Sequence, residues 1–457
     1  MNGLAHWLAS AARTNPAAPA LVAPQGRWTY AELTARAEHG GALLRAQGLR
    51  AGEIAAIAGN ASELAFASVA CAAADLALLP LDPATADQRW PALQALGGER
   101  VRRIPAPAAD AAAPALPLAA ASAADDLALV IATSGSEGAP KAVMLTHANL
   151  DAAAAAANER LPLAPGDIWL DCLPLHHIGG IAILHRCIRA GATVLLHEGF
   201  DAAAVWRDLH AYPVTHLSLV PAMLARLLDC ADGKTPPAGL RHVLVGGAAL
   251  SRPLFERARA AAWPLCPTWG MSECTAQTAT LLKPDSNWRE GDVGTLLRGF
   301  EARVDADGRI RLRGPQVMAG YLNPQGSTGL GLSDGWLLTG DLGRIDAGGQ
   351  IAIVGRADDV FISAGVNVHP LEVESCLAAC PGVTDIAVTA LPDAVWGDAL
   401  VALVVGTAEI DAIREWGRLH LASAQRPRRV LRVERLPRNA LGKIERAALR
   451  RMAGEAA

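Results

Sequence analysis

Nine residues constrain this chain more than any others. Leu127-Ala128-Leu129-Val130-Ile131-Ala132 is an unbroken apolar run and reads as a buried strand. It leads into Thr133-Ser134-Gly135-Ser136-Glu137-Gly138-Ala139-Pro140-Lys141. Glycine lets the backbone turn sharply and present its N–H groups. A concave row of such donors is a natural seat for a phosphate. The hydroxyls of Thr133, Ser134 and Ser136 add donors, and Lys141 adds a mobile positive charge. A flexible surface turn between a strand and a helix is the plain alternative, since Gly/Ser loops are common. Two standard nucleotide signatures are absent. Lys141 follows Pro140 and precedes Ala142, which excludes G-x-x-x-x-G-K-[ST], and the glycines are not spaced as G-x-G-x-x-G.

At 457 residues, 51% of them hydrophobic, the chain can hold two or more domains with sizeable cores. The formal net charge of −4, without a long run of either sign, argues against a nucleic-acid surface. Eight cysteines include no C-x-x-C pair. Cys376 and Cys380 are spaced to share a helix face, but no second ligand pair stands near them, so the cysteines read as buried free thiols of a reducing compartment. Met1-Asn2-Gly3-Leu4-Ala5-His6-Trp7 lacks the features of a signal peptide. No apolar stretch reaches the roughly 18 residues of a membrane span. The chain therefore reads as soluble and cytoplasmic. The Ala-rich tracts at 106–121 and 152–157 read as compositional bias.

Residues 1–126 alternate between helix and strand patterns. Ala20-Leu21-Val22 and Trp28-Thr29-Tyr30 flank the turn Pro24-Gln25-Gly26 and predict a hairpin. Strands are also expected at 53–58, 215–219 and 240–245, with a proline-started helix at Pro221. The alternation points to an α/β architecture. Asp171-Cys172-Leu173-Pro174-Leu175-His176-His177-Ile178-Gly179-Gly180 puts two histidines before a glycine pair. A metal site there lacks an evident third ligand, and a core histidine is the plain alternative. Arg186 stands among apolar neighbours, where burial is costly without an anionic partner. Either it meets a substrate carboxylate or orders the pocket wall, or it forms a structural ion pair or snorkels.

Five blocks in order resemble the acyl-adenylate-forming superfamily of acyl-CoA synthetases, peptide-synthetase adenylation domains and luciferases. The first is the loop at 133–141, with Glu137 where a second Thr is usual and Ala142 where Gly is. Thr146-His147-Ala148-Asn149 extends it as a helix start, with His147 capping or packing. The second is Thr268-Trp269-Gly270-Met271-Ser272-Glu273, with Trp in place of Tyr. The third is Gly335-Trp336-Leu337-Leu338-Thr339-Gly340-Asp341. The fourth runs from Gly355-Arg356-Ala357-Asp358-Asp359 through Gly365-Val366 to Pro370-Leu371-Glu372-Val373-Glu374. The fifth is Pro437-Arg438-Asn439-Ala440-Leu441-Gly442-Lys443-Ile444-Glu445-Arg446. The matches span most of the chain.

The resemblance implies a large N-terminal domain of mixed sheets and helices, residues 1–357. A small mobile α+β domain, residues 358–457, would turn about a hinge at Asp358. It implies an acid–thiol ligase that uses ATP, Mg²⁺ and coenzyme A to make an acyl-AMP, release pyrophosphate and pass the acyl group to a thiol. Thr133, Ser134, Gly135, Ser136, Gly138 and Lys141 would hold phosphates. Gly246, Gly247 and Ala248 would line the adenine site, with Trp269 and Gly270 on its aromatic side. Ser272 would meet the α-phosphate, Glu273 the metal, Asp341 the ribose and Arg356 ribose or phosphate. Gly365 would approach the pantetheine arm. Lys443 would be catalytic, with His177 near the reacting carboxylate and Arg186, Ser218 and Thr268 in the acid's pocket. His176 replaces a more frequent aromatic, and Val366 a frequent Glu or Tyr. Among subfamilies the chain looks most like the ligases joining 2-succinylbenzoate to CoA in menaquinone synthesis, although it is short for an acyl-CoA synthetase. Aryl or medium-chain acids, an acyl-carrier protein as acceptor, or a non-catalytic AMP-binding module are the alternatives. No oligomeric state follows from the sequence, and a homodimer is among those allowed.

Overall fold

The computed structural model describes residues 3–107, 123–134, 140–363, 365–393, 396–438, 442 and 444–455. Most of the alanine-rich tract at 106–121 lies outside them, as do Gly135, Ser136, Gly138 and Lys443.

Side-chain alternation along two strands sets the layering. A strand points successive residues to opposite faces. In Leu127–Ser134 and Pro140–Thr146, Leu129, Ile131, Val143 and Leu145 join one core, while Val130, Ala132, Ala142 and Met144 join another. These strands pair antiparallel, with Thr133 opposite Lys141 and Ser134 opposite Pro140. The loop at 135–139 thus links two strands of a hairpin and does not lead from a strand into a helix. The helix begins only at His147, after the extended run Ala142-Val143-Met144-Leu145. Thr146 caps it, accepting from the Asn149 amide while the Asn149 side chain accepts from Thr146. His147 packs in the interior against Gly3.

The hairpin sits in a six-stranded sheet with Ile54–Ala58, Ala77–Leu81, Val101–Ile104 and Gly320–Tyr321. A larger sheet has a parallel half: Pro19–Ala23, Thr193–Leu196, Ile168–Asp171, His216–Leu219, His242–Val245 and Leu265–Trp269. From Leu265–Trp269 onward it turns antiparallel through Ala279–Thr280, Asp292–Leu296, Gln350–Arg356 and Trp336–Ile345. Arg160, the last residue of His147–Arg160, donates to the carbonyls of Thr280 and Leu296 and to the Thr295 hydroxyl, tying the two sheets together. The predicted hairpin at 19–29 is present, and Tyr30 opens a helix.

A third, five-stranded sheet contains Phe361–Ser363, Val366–Val368, Val383–Asp393, Gly397–Gly406 and Arg429–Arg432. Helices Pro370–Ala378, Ile410–His420 and Arg446–Glu455 pack on it. Its apolar clusters draw on Phe361 and later residues, and those of the larger part end at Ile353. Pro370–Ala378 stops before Cys380, so the Cys376–Cys380 pair does not share a helix face as expected. All eight cysteines are free. Six are buried, Cys376 is half-buried and Cys230 is exposed, contrary to uniform burial. No helix among the described residues is long and apolar enough to cross a membrane.

Two imidazoles are buried, His216 in the strand His216–Leu219 and His185 in the helix Ile178–Ala190 against Trp7. Burial lowers His185 to about 4, against a hydrogen bond to the Ile181 carbonyl. Burial, reinforced by His242, lowers His216 to about 3. Both are neutral when folded, whereas an unfolded histidine takes up its proton near pH 6.5. Above that pH neither affects stability. Below it the unfolded chain binds more protons, and stability declines by up to about 1.4 kcal/mol per pH unit for each ring. The thermal midpoint should therefore fall between pH 7 and pH 5. His216→Phe, which keeps a ring against Trp169, should shrink that fall, and an unchanged pH slope would refute the assignment.

Candidate active site

The site forms where the parallel strands of the large sheet end and the antiparallel strands begin. Open α/β sheets place ligands at the carboxyl ends of their strands, near such a change of direction. Ile168–Asp171 delivers the segment to His177, His216–Leu219 delivers Val220, His242–Val245 delivers Gly246, and Leu265–Trp269 delivers Gly270. Gly246 has no room for a side chain, since a Cβ would stand 2.5 Å from Thr268 Cγ2. Gly247 adopts φ +80°, and residues 247–249 are exposed. At Gly270 a Cβ would meet the Ala276 carbonyl oxygen at 1.5 Å. Only glycine permits this turn.

After Gly270 the short turn Ser272–Cys274 presents Glu273. The Met318 amide donates to the Glu273 carbonyl at 2.8 Å, and the Tyr321 hydroxyl donates to Glu273 Oε1 at 2.9 Å. Glu273 Oε2 has no hydrogen-bond partner among the described residues. Lys141 Nζ lies 5.4 Å from the Tyr321 ring centroid, within range of a cation–π contact. Tyr321 therefore links the loop lysine to the acidic turn. It is reached through Gly320–Tyr321, which pairs with the Lys141 strand, and through Asn149, which donates to the carbonyls of Pro315 and Val317. The sequence reading passed over Tyr321. Its signal was one of only three tyrosines in the chain, set immediately after a glycine.

Asp341 and Arg356 face each other across paired strands. Trp269 Nε1 donates to Asp341 Oδ2 at 2.8 Å, and Arg356 Nη1 donates to Oδ1 at 3.2 Å. Arg356 Nη2 reaches Asp358 at 3.0 Å. Burial opposes the Arg356 charge, but Asp341, Asp358 and Asp359 outweigh it and raise the guanidinium above its ordinary range. The Trp269 ring is 7% exposed, so its polar edge is committed to Asp341. Thr268 turns its hydroxyl to the Ala279 carbonyl at 2.7 Å and to the Thr280 hydroxyl, while its methyl faces Gly246.

His177 precedes the helix Ile178–Ala190, with its ring 4.4 Å from that of His176, whose pKa burial lowers. Gly180 permits the close turn there, since a Cβ would lie 2.7 Å from the Pro174 carbonyl oxygen. Arg186 lies nine residues further on, about 13.5 Å along the helix. It is 3% exposed, with its guanidinium carbon 5.5 Å from the Trp169 ring centroid. Burial brings the Arg186 pKa down to about 10, and Cys187 and Asp171 pull it back up. Asp171 is itself raised by burial, against the Leu173 amide and the Arg186 charge. Ser218 is buried and accepts from Trp169 Nε1 at 3.1 Å. The structure thus gathers Arg186 and Ser218 around Trp169 in the interior, away from His177.

The small domain also reaches the site. A Cβ on Gly442, the neighbour of Lys443, would lie 3.1 Å from Val220 Cγ2 and 3.2 Å from Ala222 Cβ. Arg438 holds this loop by donating to the Gly442 carbonyl and to both carboxylate oxygens of Asp385. Gly365, at φ +75°, has open space around it, and its neighbour Val366 is exposed.

Such a fold, with a carboxylate turn, a loop lysine and a clamped aspartate on one rim, defines a nucleotide-dependent adenylate-forming enzyme. The AMP-binding enzyme model matches residues 8–96 and 97–322, and the AMP-binding enzyme C-terminal domain model matches residues 372–443. The chain belongs to the AMP-binding enzyme family. It is 34% identical over 337 residues to a 2-succinylbenzoate–CoA ligase of Bacillus cereus, covering 71% of this chain and 70% of the relative. Among solved structures it resembles the o-succinylbenzoate CoA synthetase of Bacillus subtilis with its acyl-adenylate OSB-AMP. That match has TM-score 0.88 at 30% identity and covers 97% of each chain. The same synthetase with ATP and magnesium ion gives TM-score 0.87, again at 30% identity, over 97% of this chain and 99% of that one. ATP-bound MatB of Rhodopseudomonas palustris also gives 0.88, at 27% identity over 99% of each chain.

Arg186→Met tests whether that arginine serves the pocket. With the buried guanidinium against the Trp169 ring, the substitution should lower the thermal midpoint and leave KM for the acid within about twofold. Loss of a buried charge partner commonly costs about 3–5 kcal/mol. A rise in KM of tenfold or more at unchanged stability would return Arg186 to the pocket.

Proposed function

We propose that this protein is an ATP-dependent acid–thiol ligase that activates 2-succinylbenzoate as its acyl adenylate and transfers the acyl group to coenzyme A. The observation that carries the reading is convergence. Lys141, Tyr321 and Glu273 form one connected group, Trp269, Asp341 and Arg356 form another, and both meet at the turn from Trp269 to Glu273. The curated and solved relatives support the choice of acid. The equal likeness to MatB indicates that the fold alone does not select it.

A carboxylate is a poor acyl donor because its oxygen is a poor leaving group. In the first step a carboxylate oxygen attacks the α-phosphorus, the O–P bond forms and pyrophosphate departs with the bonding electrons. Negative charge spreads over the phosphoryl oxygens and must be met by fixed donors and cations. Lys141 and the loop at 133–138 are the cations and donors on one side, and Ser272 is a donor on the other. Asp341 accepts from the ribose hydroxyls, and the Gly246-Gly247-Ala248 turn, exposed from Gly247 on, borders the base. Among the described residues no three His, Cys, Asp or Glu side chains cluster to hold a metal. Magnesium does not need such a cluster, since it binds through one or two carboxylates plus phosphates and water. The Oε2 of Glu273, which has no hydrogen-bond partner among the described residues, fits that pattern. When bound, the ion neutralises phosphate charge.

In the second step the CoA thiol attacks the acyl carbon, the C–S bond forms and AMP leaves. A free thiol of pKa about 8.5 is only a few per cent thiolate at pH 7, so alignment carries much of the rate. The two steps need different neighbours at one carbon. The separate apolar clusters of the small domain and the Arg356–Asp358 ion pair support a boundary at 357/358 with Asp358 as hinge. With Gly442 against Val220, Lys443 belongs to the first step. Turning the domain brings the open face at Gly365 to the thiol. His177 borders the acid. A cytoplasmic location accords with a CoA ligase.

Pyrophosphate release measured over a panel of acids, with CoA and a carrier protein compared, tests the reading. Fastest release with 2-succinylbenzoate and CoA is expected, and preference for another acid or for carrier protein would replace that assignment. Lys443→Ala should lower adenylation at least about 100-fold and spare thioester formation from supplied acyl-AMP. Equal loss of both steps would contradict the turning domain.

A further inference from the structure

Asp341 is held by two donors of unequal permanence. Trp269, Asp341 and Arg356 all belong to the large sheet, but only the Trp269–Asp341 bond is buried at both ends. Arg356 has a side chain 47% exposed and shares its second nitrogen with Asp358 at the hinge. A turn of the small domain disturbs the Arg356–Asp358 pair, and with it the balance of partners around the guanidinium, whereas the indole has no partner on the small domain. An aspartate carboxylate rotates easily about its last bond. The group that fixes its plane therefore decides which lone pairs remain for a ligand. An indole N–H can only donate, so it occupies one lone pair of Oδ2 and holds that oxygen as an acceptor.

The bond spans a long gap in the sheet. Three strands, Ala279–Thr280, Asp292–Leu296 and Gln350–Arg356, lie between those of Trp269 and Asp341. In a flat sheet four strand spacings would separate the two by about 19 Å, yet they touch at 2.8 Å. The antiparallel half curls until Asp341 stands over the end of the Trp269 strand. Thr339 seats the strand beneath, donating to the Ile310 carbonyl at 2.7 Å and accepting from the Asp341 amide.

We infer that Trp269 is a positioning residue for sugar recognition. Its indole N–H holds the Asp341 carboxylate in one orientation, and so sets how strongly a ribonucleotide is preferred over a deoxyribonucleotide. The inference rests on the proposed ATP-dependent function and on Asp341 as the ribose acceptor. It assigns the Trp269 N–H a task distinct from contact between its ring and the base.

The test uses the full chain without acid and titrates ATP, 2′-deoxy-ATP and 3′-deoxy-ATP by calorimetry. Wild type should prefer ATP. Trp269→Phe keeps an aromatic face and removes the donor. It should reduce the preference by about threefold to tenfold, the scale of one hydrogen bond, through weaker ATP binding with little change for the deoxynucleotides. Asp341→Ala should abolish the preference, and adding Trp269→Phe to it should leave the ratio unchanged. Trp269→Leu, which also lacks a donor, provides the same readout if the phenylalanine variant folds poorly. General loosening of the sheet would weaken all three nucleotides alike and leave the ratio intact. An intact ratio overturns the inference while ATP-dependent activation stands. Wild type without any preference for ATP overturns the inference together with the ribose role of Asp341.

Discussion

A carboxylate cannot be buried beside an indole without donors to meet it, and the arrangement around Asp341 follows from that need. Its side chain is 12% exposed. Left unpaired at that depth, it would favour protonation or unfolding. Trp269 and Arg356 satisfy it from opposite sides. Meeting that requirement curls the antiparallel half of the sheet, sets Arg356 at the end of its strand and places Asp358 within reach of the same guanidinium. Asp341 and Asp358 thus share one cation. A change of charge at either is felt by the other at hydrogen-bond distance.

The same economy appears at the acidic turn. Tyr321 lies between Glu273 and Lys141, groups of opposite charge that arrive on a turn and on a strand. A tyrosine can serve both, since its hydroxyl donates to a carboxylate while its ring face attracts a cation. Burial and the Glu273 charge raise the Tyr321 pKa, which keeps the phenol protonated and able to donate. The pair is therefore held apart at a fixed spacing and does not collapse into a direct ion pair. That leaves room for the phosphates proposed to lie between them.

Much of this was legible in the sequence because local chemistry announced it. The apolar run from Leu127 to Ala132, the glycine turns at Gly246 and Gly270, and the order of strands and helices all depend on residues near one another in the chain. What escaped depended on contacts between distant segments. Residues 140–146 carry an extended apolar pattern that makes the phosphate loop part of a hairpin, yet the glycines before them suit a strand-to-helix turn equally well. Tyr321 acquires its meaning only from Glu273 and Lys141, 48 residues away in one case. Cys380 was placed on a helix face because spacing cannot reveal where Pro370–Ala378 stops.

Arg186 shows why burial must be read together with direction. Sequence places a cation in an apolar helix and demands an anion for it, without saying from which end. The helix Ile178–Ala190 starts at the site and runs away from it, so each added turn moves a side chain about 5.4 Å further from His177. Arg186 arrives beside Trp169, the second residue of Ile168–Asp171 and therefore near the amino end of its strand, whereas ligands are drawn to carboxyl ends. Its guanidinium faces the Trp169 ring, and Asp171, whose own ionisation burial opposes, favours its charge only from the same strand.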